Sequence, residues 1–331
     1  VYAVSSITLA ALDFGGFAIV YGNIIQSVVL LTSLVVLAGW REWLTPRALT
    51  WRRTRDVIRF GIPVGITELF DVGARTIDNL LFSYRFGTGP TALYNIAYNL
   101  ADIPAVQIGE NVSSVLLPSM AKIEPERRLP VLVRSTALLS LIVFPMAVGL
   151  GVVAEPLCTV LLAVEWHAAA PLLTLLAALS VFRPQSWVIS SYLRVEDRNV
   201  PATATEVLKV AVLVVGILLF PSPLWACLAV GLAFAAQTVA LIAVVCRING
   251  ISPWRFAPGF LGPLAACATM TAVVLGTRYG MTMAGWDHPL LALLVEMAVG
   301  AVVYVPAAFV LCPALARDLL GLLRSSFGRG R

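Results

Sequence analysis

Four charged side chains recur in one apolar segment at intervals of three, four and three residues: Glu68, Asp71, Arg75 and Asp78. At about 100° per residue of an α-helix, they fall within roughly an 80° arc and share one face. Charges are costly against lipid, so this face must line water or protein. Arg75 is within reach of Asp71 and Asp78 on the same helix, and one interpretation is that the four charges form an internal ion-pair cluster that holds helices together. The excess of carboxylates is more than packing alone needs, which favours a functional role for this face.

The next apolar segment has a second polar face. Asn95, Asn99 and Asp102 are spaced by four and three residues, and Gln107 and Glu110 broadly continue the same side. From the first to the last of these residues a helix rises about 22 Å, which is most of the depth of a bilayer. This length predicts a tall, water-accessible cavity. A proline within the segment, at position 104, removes a backbone donor and predicts a kink.

One further cation, Arg183, lies inside an apolar segment and is followed closely by Gln185. It could pair with an acid of the first two segments or meet an anionic group of a substrate, and both possibilities remain open. Glu206 and Glu296 are interpreted as isolated structural charges, although Lys209 lies within reach of Glu206.

These charges stand out because the rest of the chain is apolar. Of the 331 residues, 59% are hydrophobic and 12% are charged, whereas soluble domains are about 45–50% apolar and about 25% charged. A soluble monomer of this size could not bury so much apolar surface, and a disordered chain would be far less hydrophobic. The composition therefore predicts an all-α, polytopic transmembrane helical bundle.

Apolar runs of about 20 residues, long enough to cross the hydrocarbon, predict nine full spans after a partial one at Val1–Leu12. The full spans are Phe17–Gly39, Val57–Tyr84, Thr91–Pro118, Pro130–Val153, Ala168–Leu193, Pro201–Phe220, Leu224–Val245, Gly259–Tyr279 and Leu290–Leu311. When the loops are assigned to alternate sides, 19 of the 23 basic residues fall on one side. The positive-inside rule makes that side, with the C-terminus, cytoplasmic.

No sequence motif indicates catalysis or a cofactor. The chain has no GxxxxGK[ST] phosphate loop, and its five cysteines are scattered without a CxxC pair. We expect no enzyme activity, no cofactor and no metal. The basic loops are explained by membrane orientation rather than by nucleic-acid binding. A channel is conceivable, but no short re-entrant filter sequence stands out, and polar helices bent by proline fit a transporter better.

Two adjoining segments carry a family resemblance: RFGIPVGITELFDVGARTIDNLLFSYRFG, then TALYNIAYNLADIPAVQIGENVSSVLLPSMAKI. They resemble the polysaccharide transporter branch, the Wzx-type O-antigen and exopolysaccharide flippases, of the multidrug/oligosaccharidyl-lipid/polysaccharide flippase superfamily. The family's run of Arg, two residues, Asp and an apolar pair is matched by Arg75, Asp78, Leu80 and Leu81. Its motif at the start of the next helix is matched by Tyr94, Asn95, Ala97, Tyr98, Leu100, Ala101 and Pro104.

The resemblance implies two MATE-like lobes of six helices that face each other, and some branches carry two extra C-terminal helices. Residues 1–40 would be the last two helices of the N-terminal lobe, and 41–56 a basic cytoplasmic interlobe loop. Residues 57–250 would form the C-terminal lobe, and 251–331 the two extra helices with a basic cytoplasmic tail. We therefore expect the chain to be an N-terminally truncated piece that lacks helices one to four.

The resemblance also implies a flippase for a lipid-linked oligosaccharide, carried on undecaprenyl pyrophosphate, in the bacterial inner membrane. It would move this substrate to the outer leaflet by alternating access, with cation coupling as a further expectation. Its partners would be membrane lipids and a polysaccharide polymerase or chain-length regulator. The alternatives are a multidrug or lipid II exporter of the same superfamily, and a non-transporting membrane subunit of a polysaccharide export complex.

This scheme gives the polar residues two expected roles. Substrate binding is expected of Arg75, Arg183, Asn95, Asn99, Gln107 and Gln185, and ion or proton coupling of Glu68, Asp71, Asp78, Asp102 and Glu110.

Overall fold

The computed structural model describes residues 1–37, 50–51, 54–55, 58, 76–112, 120, 122–286 and 288–328. It divides into two compact units, Val1–Leu69 and Phe70–Arg331. The predicted interlobe loop lies largely outside the described residues, so the predicted domain boundaries stay predictions. Within the described residues all regular structure is helical, as the apolar composition predicts.

The first unit contains a pair of helices, α1 (Tyr2–Ala11) and α2 (Phe17–Leu37). The turn between them uses left-handed backbone at Asp13, with φ of 63°, and at Gly15, with φ of 53°. The helices approach closely where Gly22 leaves room for the hydroxyl of Ser6. Most other side chains of α2 are exposed and apolar, as suits a helix that faces lipid.

The second unit contains eleven helices within its described residues. They are α3 (described over 76–86), α4 (Thr88–Pro104), α5 (Pro125–Val152), α6 (Ala154–Leu161), α7 (Ala170–Leu179), α8 (Phe182–Val195), α9 (Asn199–Leu219), α10 (Pro223–Asn249), α11 (Ala257–Met283), α12 (Pro289–Leu311) and α13 (Pro313–Gly328). Short 3₁₀ turns precede α7 and α11.

Seven helical stretches among the described residues are long and apolar enough to cross a membrane. They are Phe17–Leu37, Pro125–Val152, Val164–Val195, Asn199–Leu219, Pro223–Asn249, Ala257–Met283 and Pro289–Leu311. Each overlaps one of the nine predicted full spans, and the chain is a multi-pass membrane protein. The other two predicted spans, Val57–Tyr84 and Thr91–Pro118, include residues outside the described ones. The full count of nine therefore stays a prediction.

Two irregular backbone segments position the polar residues. Pro104 removes one backbone donor from the helix, yet the helix does not end there and continues as a π-helical turn over Ala105–Glu110. The predicted span Ala168–Leu193 is divided between α7 and α8 at residues 180–181. This break places Arg183 in the first turn of α8.

The C-terminal helices differ in two ways from the sequence-based expectation. Glu296 of α12 is not isolated, because Arg278 of α11 pairs with it. Arg278 donates two hydrogen bonds of 2.7 and 2.6 Å to Glu296 and one of 2.6 Å to the carbonyl of Val152. The expected tail after α12 begins as α13, which Asp318 joins to Arg134 of α5.

Candidate functional site

The side chain of Asp78 in α3 lies against α4 and is held there by hydrogen bonds. Its side chain is buried, and its two oxygens accept hydrogen bonds from the Tyr94 hydroxyl at 2.9 Å and from the Asn79 backbone N–H at 2.8 Å. The Tyr94 ring stacks on Phe82, with 4.2 Å between centroids. The chain reverses between the two helices at Gly87, whose φ of 84° favours glycine. Asp78 thus joins two helices through a preorganised set of donors.

Arg183 lies in a cage formed by α4, α8 and α10. Its guanidinium carbon is 4.3 Å from the ring centroids of both Tyr98 and Phe234, which is cation–π distance. It also donates hydrogen bonds to the Asp102 carboxylate and to the Tyr98 hydroxyl. Of the two interactions that the sequence leaves open for Arg183, the structure shows the ion pair with an acid.

The space around Arg183 is too small for a phosphate group. The cavity beside its side chain has a volume of about 10 Å³, enough for about one water molecule. Arg183 is 6% exposed, whereas the side chain of its partner Asp102 is 26% exposed. In this conformation the carboxylate, and not the guanidinium, is the group that a ligand can approach.

The accessible polar surface of α4 consists of amides and one carboxylate. Asn99 and Gln107 are exposed, and Asn95 and Asp102 are partly exposed. Gln107 lies within the π-helical turn, and its backbone carbonyl accepts a hydrogen bond of 2.6 Å from the side-chain amide of Asn111. We call the four residues Asn95, Asn99, Asp102 and Gln107 the α4 polar face. Amides donate to and accept from hydroxyl groups, and a carboxylate accepts from them, which is the chemistry that a sugar requires.

Gln185 occupies a different environment from the α4 polar face. It is fully buried, and its amide nitrogen donates a hydrogen bond of 2.9 Å to the Ser140 hydroxyl of α5. Its predicted role in substrate binding remains a prediction. Glu68, Asp71 and Arg75 lie outside the described residues, as does the side chain of Glu110.

A second polar cluster joins α9 to α10. Glu206 pairs with Lys209, as the sequence spacing allows, and accepts a hydrogen bond of 2.6 Å from the Gln237 amide. The Lys209 amine is 5.3 Å from the centroid of Phe234, the ring that also covers Arg183. Sequence analysis missed Gln237, although an amide within the apolar run LAFAAQTVALIAVV was a usable signal. Nothing comparable in the sequence indicates that Phe234 contacts Arg183 and Lys209.

The sequence similarity of the chain to known proteins shows its family. Residues 1–171 match the sequence profile of the family described as "Polysaccharide biosynthesis protein". The chain belongs to this family. It is 28% identical over 163 residues to the teichuronic acid biosynthesis protein TuaB of Bacillus subtilis, covering 47% of this chain and 34% of TuaB. It is also 28% identical over 178 residues to the succinoglycan biosynthesis transport protein ExoT of Rhizobium meliloti, covering 53% of this chain and 35% of ExoT.

The fold has a solved counterpart in the lipid II flippase MurJ, in its inward closed conformation. The TM-score is 0.74 at 15% sequence identity, and the match covers 96% of this chain and 66% of MurJ. The family member thus has a MurJ-like fold. The chain spans about a third of the length of the curated relatives that it matches.

Proposed function

We propose that the complete protein is a transporter that flips a lipid-linked oligosaccharide from the cytoplasmic to the outer leaflet of the bacterial inner membrane. The α4 polar face supports this most directly, because exposed amides and a carboxylate on a helix of a membrane bundle need a polar ligand. Family membership supports it independently, since ExoT is named as a transport protein of succinoglycan biosynthesis. The MurJ-like fold supplies an architecture found in a flippase.

In this proposal the sugar hydroxyls bind the α4 polar face while the lipid tail stays in the bilayer. The anchor is undecaprenyl pyrophosphate, and the two lobes alternate access. Arg183 acts indirectly, because its ion pair orients Asp102 toward the ligand. Asp78, Asp102 and Glu110, with Glu68 and Asp71, take up a proton or cation during the cycle, and Arg75 meets the anionic part of the substrate.

Several further features belong to the same proposal. The loops rich in basic residues and the C-terminus face the cytoplasm, in accordance with the positive-inside rule. The transporter works beside a polysaccharide polymerase or chain-length regulator and carries out no chemical conversion of its own.

The test is complementation of a strain that lacks its oligosaccharide flippase, scored as surface polysaccharide. The full-length gene should restore the polymer, and the double variant Asn99→Ala/Gln107→Ala should lower export about tenfold, since each lost hydrogen bond removes roughly 0.5–1.5 kcal/mol. The matched control is Asn199→Ala, which removes an exposed amide at the start of α9. No restoration by the full-length gene would contradict the proposal, and drug or lipid II export in its place would favour another exporter of the superfamily.

A further inference from the structure

A groove lies between the start of α9 and the last turns of α10. Its cavity has a volume of about 380 Å³, and its charged lining residues are Asp197, Arg198 and Arg247. Both arginines are exposed, and neither guanidinium has a hydrogen-bond or ion-pair partner among the described residues. Two guanidiniums against one carboxylate leave the groove positively charged, so its chemistry favours an anionic ligand.

The turn that carries Arg198 is fixed in place. Arg128 forms an ion pair of 3.0 Å with Glu196 and also donates to the carbonyl of Ile123 at 3.0 Å. Asp197 has left-handed backbone, with φ of 54°, and the next N–H, that of Arg198, donates to the carbonyl of Leu193 at 2.8 Å. The groove is therefore built on a rigid connection between α8 and α9.

A second contact fixes the other wall of the groove. The hydroxyl of Tyr192, near the end of α8, donates a hydrogen bond of 3.2 Å to Asn249, two residues beyond Arg247 at the end of α10. The ends of α8, α9 and α10 are thus tied together, and the two guanidiniums lie on preorganised backbone. Preorganisation lowers the conformational cost of ligand binding.

The rest of the groove is apolar, with Val200, Pro201, Val244 and Ile248 in its lining. Val200 is 81% exposed and Ile248 is 40% exposed. Helices α9 and α10 both have the length of membrane spans, so their ends reach the level of the lipid headgroups. Free guanidiniums beside exposed apolar side chains at this depth match a phosphate that carries acyl chains.

A second groove between the same two helices provides an internal comparison. Its cavity, of about 370 Å³, is lined entirely by apolar residues or glycine, among them Val212, Val215, Phe220 and Leu232. An acyl chain can lie in either groove, but only the groove with Arg198 and Arg247 can select a charged headgroup.

We propose that the groove at Arg198 and Arg247 binds an anionic phospholipid of the leaflet that the basic loops predict to be cytoplasmic. The two guanidiniums hold the phosphate, and Val200 and Ile248 contact the start of the acyl chains. This site is separate from the α4 polar face, and it does not depend on which substrate the protein transports.

The proposal is tested by native mass spectrometry of the purified chain in detergent with added phosphatidylglycerol or phosphatidylcholine of identical acyl chains. The wild type should retain one phosphatidylglycerol in preference to phosphatidylcholine. The double variant Arg198→Gln/Arg247→Gln should bind phosphatidylglycerol about 30-fold more weakly, which corresponds to roughly 1 kcal/mol for each arginine. The control Arg194→Gln/Arg255→Gln removes the same charge from exposed positions outside the groove lining and should keep wild-type affinity.

Three results would overturn the proposal. Unchanged phosphatidylglycerol affinity in Arg198→Gln/Arg247→Gln would remove the groove as the site. Equal affinity for phosphatidylcholine would remove the selection of charge, and equally tight binding of glycerol phosphate without acyl chains would remove the lipid. Hydrogen–deuterium exchange of the wild type gives a readout independent of any variant: phosphatidylglycerol, but not phosphatidylcholine, should slow exchange around residues 196–201.

Discussion

Arg183 shows how a single residue depends on its tertiary environment. A guanidinium inside a membrane helix needs a counter-charge, so sequence alone predicts a partner without identifying it. The choice of Asp102 follows from the break between α7 and α8, which turns Arg183 toward α4. The rings of Tyr98 and Phe234 then close the cage. No spacing of residues near Arg183 predicts either the helix break or the enclosing rings. For this reason the sequence alone could not decide between an ion pair and a substrate contact for Arg183.

We predict that Arg183→Ala destabilises the fold more than the double variant Arg183→Ala/Asp102→Ala. The single change leaves a carboxylate without its donor, which costs about 3–5 kcal/mol for a buried pair. The partial exposure of Asp102 places the expected value near the lower end. Urea unfolding in detergent micelles measures the difference. A double variant as unstable as the sum of the two single variants would show that the residues are not coupled.

The Tyr94 hydroxyl is expected to contribute through its hydrogen bond to Asp78. Tyr94→Phe keeps the stacking on Phe82 but removes one donor from a buried carboxylate, so we expect a loss of about 1–3 kcal/mol in the free energy of unfolding. Tyr84→Phe is the matched control, because Tyr84 is 85% exposed and should be nearly neutral. Equal effects of the two substitutions would mean that the bond to Asp78 adds nothing to stability.

At the scale of elements, the length of the apolar runs predicted the helices well. The spans Pro201–Phe220 and Leu290–Leu311 are found as Asn199–Leu219 and Pro289–Leu311, because lipid enforces long apolar helices. The error concerns a charged pair between two helices. The sequence indicates Glu296 as an isolated charge, because no spacing within α12 points to Arg278 of α11 as its partner.

We predict that Glu296→Gln loosens the attachment of α12 to α11 and α5. Glu296 is 1% exposed and accepts two hydrogen bonds from Arg278, so losing its charge should cost about 3 kcal/mol, at the lower end of the range for a broken buried pair. Glu155→Gln is the control, because Glu155 is 3.7 Å from the same arginine but 78% exposed. It should cost less than about 1 kcal/mol. Thermal unfolding of both variants in detergent distinguishes them, and equal shifts would contradict the prediction.

Helices α10 and α7 pack closely at Gly231. A Cβ there would overlap the side chain of Leu179, at the end of α7. We expect Gly231→Ala to destabilise the protein by about 1–3 kcal/mol through overpacking. A Cβ at Gly276 of α11 meets no neighbouring atom within 4 Å. Gly276→Ala should therefore be neutral or slightly stabilising, because alanine has the higher helix propensity. Thermal unfolding measures both, and a stable Gly231→Ala variant would show that the helices can move apart.

For the whole molecule, the sequence predicted the helical class from its composition and the polysaccharide biosynthesis family from an ordered run of motif residues. It predicted the α4 polar face from helical spacing, and Asn99 and Gln107 are indeed exposed. The sequence could not predict which polar side chains are buried, because burial depends on contacts between helices that are distant in the chain. Arg183 and Asp102 are 81 positions apart, so only the three-dimensional structure shows that they pair.

The orientation of the chain in the membrane can be tested by labelling cysteines from either side. The basic loops predict that Asn199 faces the cytoplasm and His288 the opposite side, since three helices, α9, α10 and α11, separate them. All five native cysteines are buried, and burial raises the pKa of the Cys158 thiol. The reactive thiolate is therefore scarce, and the native chain should label weakly with a maleimide that cannot cross membranes.

We predict that Asn199→Cys is labelled only in inside-out vesicles and that His288→Cys is labelled in intact spheroplasts. Both positions are exposed, so burial does not limit either reaction. Labelling of both cysteines from the same side would require an even number of crossings between them, in conflict with α9, α10 and α11 as three spans. Labelling of each from the side opposite to the expected one would keep the spans but reverse the protein. The substrate would then have to be recognised from the other face, and the proposed direction of flipping would be wrong.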